Sequence, residues 1–158
     1  FINGKSVGKK KVKKCRANFN TTYQDGEITA VSYDENGKEI NRYSLQTSGK
    51  DTVLQVRPEE KTVKPEGLAF IQLQYTDSKG IWKPMEKHNI KVTVENGVLK
   101  GLGSPAPYVK GNYTDHTVAT YYGEAMAVVR AGESGSVKIT VSDEEKTYTC
   151  EIPVTTQK

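Results

Sequence analysis

Six side chains in this sequence have the chemistry to meet a sugar ring: Trp82, Tyr108, Tyr113, His116, Tyr121 and Tyr122. Aromatic faces stack on the C–H face of a pyranose, and Asn112 and Asp115 stand among them to hydrogen-bond its hydroxyls. Trp82, Tyr108, Tyr113 and His116 are the main candidates for carbohydrate contact. Tyr121 and Tyr122 are neighbours on an expected strand, which sends only one of them outward. Trp82 lies near Pro84 and has a packing alternative as a hairpin plug. Aromatic and apolar loop residues also bury at domain interfaces, and Leu102, Pro105, Pro107 and Tyr108 are the candidates for such an interdomain contact.

Hydrolytic chemistry needs more. A pair of carboxylates must converge in a pocket, yet Asp77, Glu86, Asp115 and Glu124 all fall in or beside turn-like polar segments, where solvated turn residues are the simpler reading. His88 and His116 have no serine or cysteine in a recognisable elbow and no close His/Cys spacing to hold zinc. Gly4-Lys5-Ser6 resembles the end of a phosphate-binding loop, but its glycine-rich lead and following helix are missing. The expectation is a chain with no catalytic residues, no metal and no cofactor. Cys15 and Cys150 are 135 positions apart and pair only if the first and last strands lie side by side. Both read as small buried or half-buried groups.

The totals narrow the class. A length of 158 residues suits one ordinary domain or two small ones, and 35% hydrophobic with 27% charged residues is a globular composition. No apolar run reaches 18 residues, so no membrane-spanning helix is expected. The opening FINGKSVGKKKVKK lacks the apolar core of a signal peptide, and it starts on a strand-like Phe1-Ile2 as a piece of a longer polypeptide would. The net charge of +4 is uneven: residues 1–49 hold nine Lys/Arg against five Asp/Glu, and residues 50–158 hold fourteen of each. Six lysines lie between Lys5 and Lys14. No recognition module or interleaved aromatics accompany them, which argues against nucleic acid and for a solvated, lysine-protected edge.

The elements that must position these residues are all strands. Residues 11–23 and 26–33 read as strands, Asn36-Gly37 as a tight hairpin turn and 40–45 as its return, with Asn3-Gly4 a second such turn. The polar stretch 46–51 marks a boundary. Beyond it, residues 52–57, 68–75, 89–94, 98–102, 125–130, 136–142 and 146–154 alternate with period two, and turn signals separate them about every ten residues. In 68–75 the buried face draws on Leu68, Phe70 or Ala69, Ile71, Leu73 and Tyr75. Between 100 and 132 lies a loop dense in Gly, Pro and Asn, followed by short strands over 118–122 and 125–130. No amphipathic helix of useful length is present. The pattern predicts an all-β chain of antiparallel sandwiches.

Four segments, in order, resemble a known family. FINGKSVGKKK is similar to the "LFLNGKSLG" segment of an immunoglobulin-like domain in glycoside hydrolase family 2 enzymes of the β-galactosidase type, and DGEITAVSYDENGKEI to its "pGeLkAvay" strand and hairpin. LAFIQLQYTDSKGIWKP resembles the strand and Asp-x-x-Gly turn of the C-terminal domain that follows. GLGSPAP with YYGEAMAVVRAGESGSVKITV resembles that domain's "GvGNgdP" loop and next two strands, with Ser104 where an asparagine is common.

The resemblance implies two immunoglobulin-like β-sandwiches, residues 1–49 the end of a truncated first one and 50–158 a C-terminal one. It implies a non-catalytic tail whose partners are an upstream catalytic barrel and sandwich domains of the same polypeptide; the loop aromatics add carbohydrate as a further candidate partner. The parent would be a retaining glycoside hydrolase acting on β-galactosides with two glutamates on the barrel. The alternatives are a carbohydrate-binding module and a bacterial immunoglobulin-like adhesion domain.

Overall fold

The computed structural model describes residues 1–108 and 111–156; Val109 and Lys110 of the long loop lie outside them. The chain divides into two compact units, Phe1–Ser48 and Gly49–Lys158, and among the described residues every regular element is a strand.

In the first unit, β1 (Glu27–Tyr33) and β2 (Glu39–Gln46) form an antiparallel hairpin. Its turn is closed by Asp34 N–H donating to the Lys38 carbonyl at 2.9 Å, with Gly37 at φ +82°. Phe1 and Asn3 add a short third rung: Thr29 N–H donates to Phe1 O and Asn3 N–H to Glu27 O, at 2.9 and 2.8 Å. Asn3-Gly4 makes a tight turn with both residues at positive φ, closed by reciprocal Ile2–Lys5 bonds of 2.9 Å. Ile2 and Thr29 are buried, whereas every residue of β2 is exposed. Ile28, Leu45 and Tyr43 lie along one open face, since Ile28 pairs with Leu45 and Ala30 with Tyr43.

Two expectations fail in this unit. Residues 11–23 form no strand; Lys13 and Arg16 close a two-residue turn, and the stretch is exposed. The alternating apolar residues there are too few to repay ordering a run of lysines without a partner strand. The lysines sit on this irregular segment, with Lys9 4.9 Å above the Tyr33 ring and Lys10 5.3 Å from that of Phe19. Cys15 lies in the Lys13–Arg16 turn at φ +61°, exposed and unpaired, instead of buried.

Among its described residues the second unit is a sandwich of eight strands: β3 (Val53–Pro58), β4 (Leu68–Thr76), β5 (Asn89–Glu95), β6 (Gly97–Gly103), β7 (Thr117–Ala119), β8 (Glu124–Ala131), β9 (Ser136–Ser142) and β10 (Thr147–Pro153). One sheet runs β3-β4-β8-β6 and the other β10-β9-β5-β7. With β7 set aside, these are the two sheets of an immunoglobulin-like sandwich, four strands against three. The inward positions Ile71, Leu73, Tyr75, Ile90, Val92, Ala127, Val129, Val137, Ile139 and Val141 are at most 1% exposed and make one core.

Within β4 the core takes Ala69, not Leu68 or Phe70, which face out at 53% and 41% exposure. Alternation fixes this, because Ile71, Leu73 and Tyr75 already define the parity of the inward face. Asn96-Gly97 is a corner between sheets, since β5 and β6 belong to different ones. There the Asn96 side-chain amide donates to Ser134 O and Ser136 O at 2.7 and 3.0 Å, and a Cβ on Gly97 would stand 2.7 Å from Arg130 O.

Candidate functional site

The segment 104–123 leaves β6, crosses to the other sheet as β7 and returns to β8, so the connection itself joins the two layers. Backbone bonds pin its middle: Leu102 N–H donates to Tyr113 O at 2.7 Å, and Val92 N–H to His116 O at 2.9 Å. His116 Nδ1 donates in return to Val92 O at 3.1 Å, and Asp115 closes a small turn by accepting from Asn112 N–H at 2.9 Å. His116 is thus a strand-edge tether with an exposed side chain. Tyr113 is 66% exposed and Tyr108 94%.

Residues 118–122 do not form the expected strand. Thr117–Ala119 pairs with β5, Thr120 N–H still donates to His88 O at 2.9 Å, and Tyr121 bridges Glu124 across a tight turn with Tyr122 and Gly123 at φ +51° and +70°. Tyr121 and Tyr122 are stacked edge to face at 4.5 Å. Trp82 follows the Asp77–Gly80 turn, 44% exposed, and its indole N–H donates to Tyr122 O at 2.9 Å. Asp77 organises that turn: its carboxylate accepts from Gly49, Lys79 and Ile81 N–H at 2.7 to 2.9 Å. The Gly49 N–H foremost, against some opposing burial and with Ile81 and Lys79 assisting, holds its carboxyl below the ordinary 3.8.

Beside Trp82 runs a chain of polar groups. Lys83 Nζ donates to Thr52 Oγ1 at 2.6 Å and pairs with Glu86 at 3.1 Å, while His88 Nε2 lies 2.9 Å from the other Glu86 oxygen. The His88 bond, with Lys83 and Thr52, outweighs burial and lowers the Glu86 carboxyl below its usual range. Tyr75 stacks on His88 at 4.5 Å and donates its hydroxyl to Asp143 at 2.8 Å. Each carboxylate singled out for acid–base chemistry is therefore engaged locally, Asp77 and Asp115 in turns, Glu86 with Lys83 and His88, and Glu124 with the Gln74 amide at 2.7 Å.

The structure brings Tyr113 to a groove on the outer face of the β3-β4-β8-β6 sheet and leaves Trp82 and Tyr108 outside it. This open groove, about 500 Å³, has Gly101, Gly103 and Met126 along its floor and Gln72, Glu124 and Tyr113 around it. A Cβ on Gly103 would lie 2.8 Å from Tyr113 Cε1, so the ring rests directly on the glycine backbone. Ser104 and Pro105 form its lip. Gln72, Gly103 and Met126 escape a search for chemistry by residue type; their signal is parity, the outward positions of β4 and β8 beside the Gly-Leu-Gly of β6. Leu102 needs correcting as a contact candidate, because it is 2% exposed and its side chain belongs to the core. Pro105, Pro107 and Tyr108 are exposed.

Comparison with known proteins gives a consistent result. No curated protein matches the chain. A glycosyl hydrolase family 2 member from Bacteroides cellulosilyticus superposes with a TM-score of 0.92 at 24% identity, over 99% of this chain and 21% of that one. A β-glycosidase from Bacteroides vulgatus gives 0.84 at 21% identity, over 98% and 20%. A β-glucuronidase of glycoside hydrolase family 2 gives 0.70 at 18%, over 87% and 15%. The chain thus spans about a fifth of the length of the first of these structures. Residues 1–41 match a domain of unknown function (DUF4982). Residues 53–149, more than half of the chain, match glycoside hydrolase family 2 C-terminal domain 5, and the chain belongs to that family.

Proposed function

We propose that this chain is the non-catalytic C-terminal region of a glycoside hydrolase family 2 enzyme of the β-galactosidase type, acting on terminal β-galactosides, and that it braces the rest of that polypeptide. The observation that carries the reading is the family match over residues 53–149 in a chain that spans only about a fifth of a structurally similar glycosyl hydrolase. Residues 1–49 are the end of one sandwich and 50–158 the C-terminal one, and a catalytic barrel and further sandwich domains precede them. The exposed apolar face of β1 and β2 supports this. Ile28, Tyr43 and Leu45 have the spacing of a sandwich face that awaits a second sheet. Pro105, Pro107 and Tyr108 are further contact candidates.

The substrate follows from the β-galactosidase resemblance, whereas structurally similar proteins include a β-glycosidase and a β-glucuronidase. An assay of the parent enzyme with p-nitrophenyl β-galactoside and β-glucuronide tests it. Turnover of the galactoside is expected; preference for the glucuronide would replace the substrate while keeping the brace. A tandem array of similar sandwiches upstream, with no barrel, would favour the adhesion-domain reading.

A further inference from the structure

The groove beside Tyr113 has features that packing alone does not require. Tyr113 is set in place before any ligand arrives, its carbonyl held by Leu102 N–H at 2.7 Å and its ring lying on Gly103. Glu124 is likewise oriented through Oε1, which accepts from Gln74 Nε2 at 2.7 Å, and Gln74 Oε1 in turn accepts from Arg57 at 2.7 Å. Its Oε2 has no protein donor within hydrogen-bond distance among the described residues. Gln72 presents an exposed amide two positions along β4. The groove is open to solvent and encloses about 500 Å³.

We propose that this groove binds one neutral pyranose unit of a β-linked glycan, the ring stacked on Tyr113 and its hydroxyls on Glu124 and Gln72. The inference rests on the reading of the chain as part of a glycan-acting polypeptide. Pyranoses are amphipathic in the sense the groove is: a C–H face suits the aromatic wall, and equatorial hydroxyls suit polar groups at the opposite edge. Charge decides the class of sugar. Glu124 is the one charged lining residue among those described, so it accepts from neutral hydroxyls and repels a uronate or sulfate. An apolar protein segment in the same place would strip water from that carboxylate without replacing its hydrogen bonds, a costly exchange. Gly103, lacking a Cβ, lets the Tyr113 ring lie against the β6 backbone and so sets the aromatic wall.

The test is a two-dimensional ¹⁵N–¹H NMR titration of the 158-residue chain with lactose and, as the charged comparison, methyl β-D-glucuronide. Lactose is expected to give saturable shifts at the Gly101, Gly103 and Tyr113 amides with a millimolar Kd. Tyr113→Ala weakens binding at least about fivefold, with its spectrum outside the loop unchanged as the check on folding. Glucuronide binds less well than lactose, and Glu124→Gln narrows that difference, while Trp82→Ala leaves lactose binding as it was. Absence of saturable shifts, shifts confined to Trp82 and Tyr122, or groove signals that respond to protein concentration and not to sugar would each overturn the proposal. A silent titration alongside a parent enzyme that still needs residues 50–158 would remove the sugar site and leave the brace.

Discussion

Asp77 shows how one side chain sets the order of a loop and a pH dependence together. Three backbone N–H groups converge on the carboxylate of this buried residue, and its folded pKa lies below the ordinary 3.8. A depressed carboxyl pKa adds stability above the unfolded value, and that stability is lost as pH falls through the folded one. Urea midpoints are therefore expected to drop between about pH 5 and pH 2, and Asp77→Asn should flatten that drop. An unchanged slope in the variant would contradict the assignment. Tyr75 governs the alkaline side. Burial, then Asp143, pushes its phenol well above 10.0, so its contribution is present below that value and is lost as pH rises beyond it. Tyr75→Phe removes the 2.8 Å bond to Asp143 and should cost about 1–2 kcal/mol in a denaturant titration at neutral pH.

At the scale of the element, what the sequence makes legible is what alternation and local turn chemistry determine. The strands β4, β5, β8, β9 and β10 fall where period two places them, and Asn3-Gly4 turns as its residue types require. Parity also chooses between Leu68 and Ala69 once three neighbours are fixed. What alternation cannot determine is partnership. Residues 11–23 have some strand pattern and no strand to meet, and Asn96-Gly97 has hairpin chemistry yet leads from one sheet to the other. The groove was half legible. Tyr113 stands out by type, but Gln72, Gly103 and Met126 converge on it only through the β4-β8-β6 register. Gly123 tests this level: at φ +70°, with a Cβ placed 2.5 Å from Lys83 O, Gly123→Ala is expected to cost about 2–3 kcal/mol by thermal or urea unfolding. A neutral effect would mean that the Tyr122-Gly123 turn is not formed as described.

For the molecule as a whole, the two units differ in how they are held. The second has a continuous core from both sheets, whereas the first buries Ile2 and Thr29 among its described residues and leaves an apolar face open. Amide exchange in the isolated chain should therefore be at least about a hundredfold faster in β1 and β2 than in β4, β8 and β9; equal protection would show that the first unit is stabilised on its own. The exposed faces acquire a purpose if the rest of a longer polypeptide covers them, and that is the central claim. Deleting residues 50–158 from the parent enzyme and following its thermal unfolding and its kcat/KM tests it most directly. The brace reading predicts a Tm lower by at least about 5 °C and a shorter active half-life, while a truncated enzyme with the stability and activity of the intact one would contradict it.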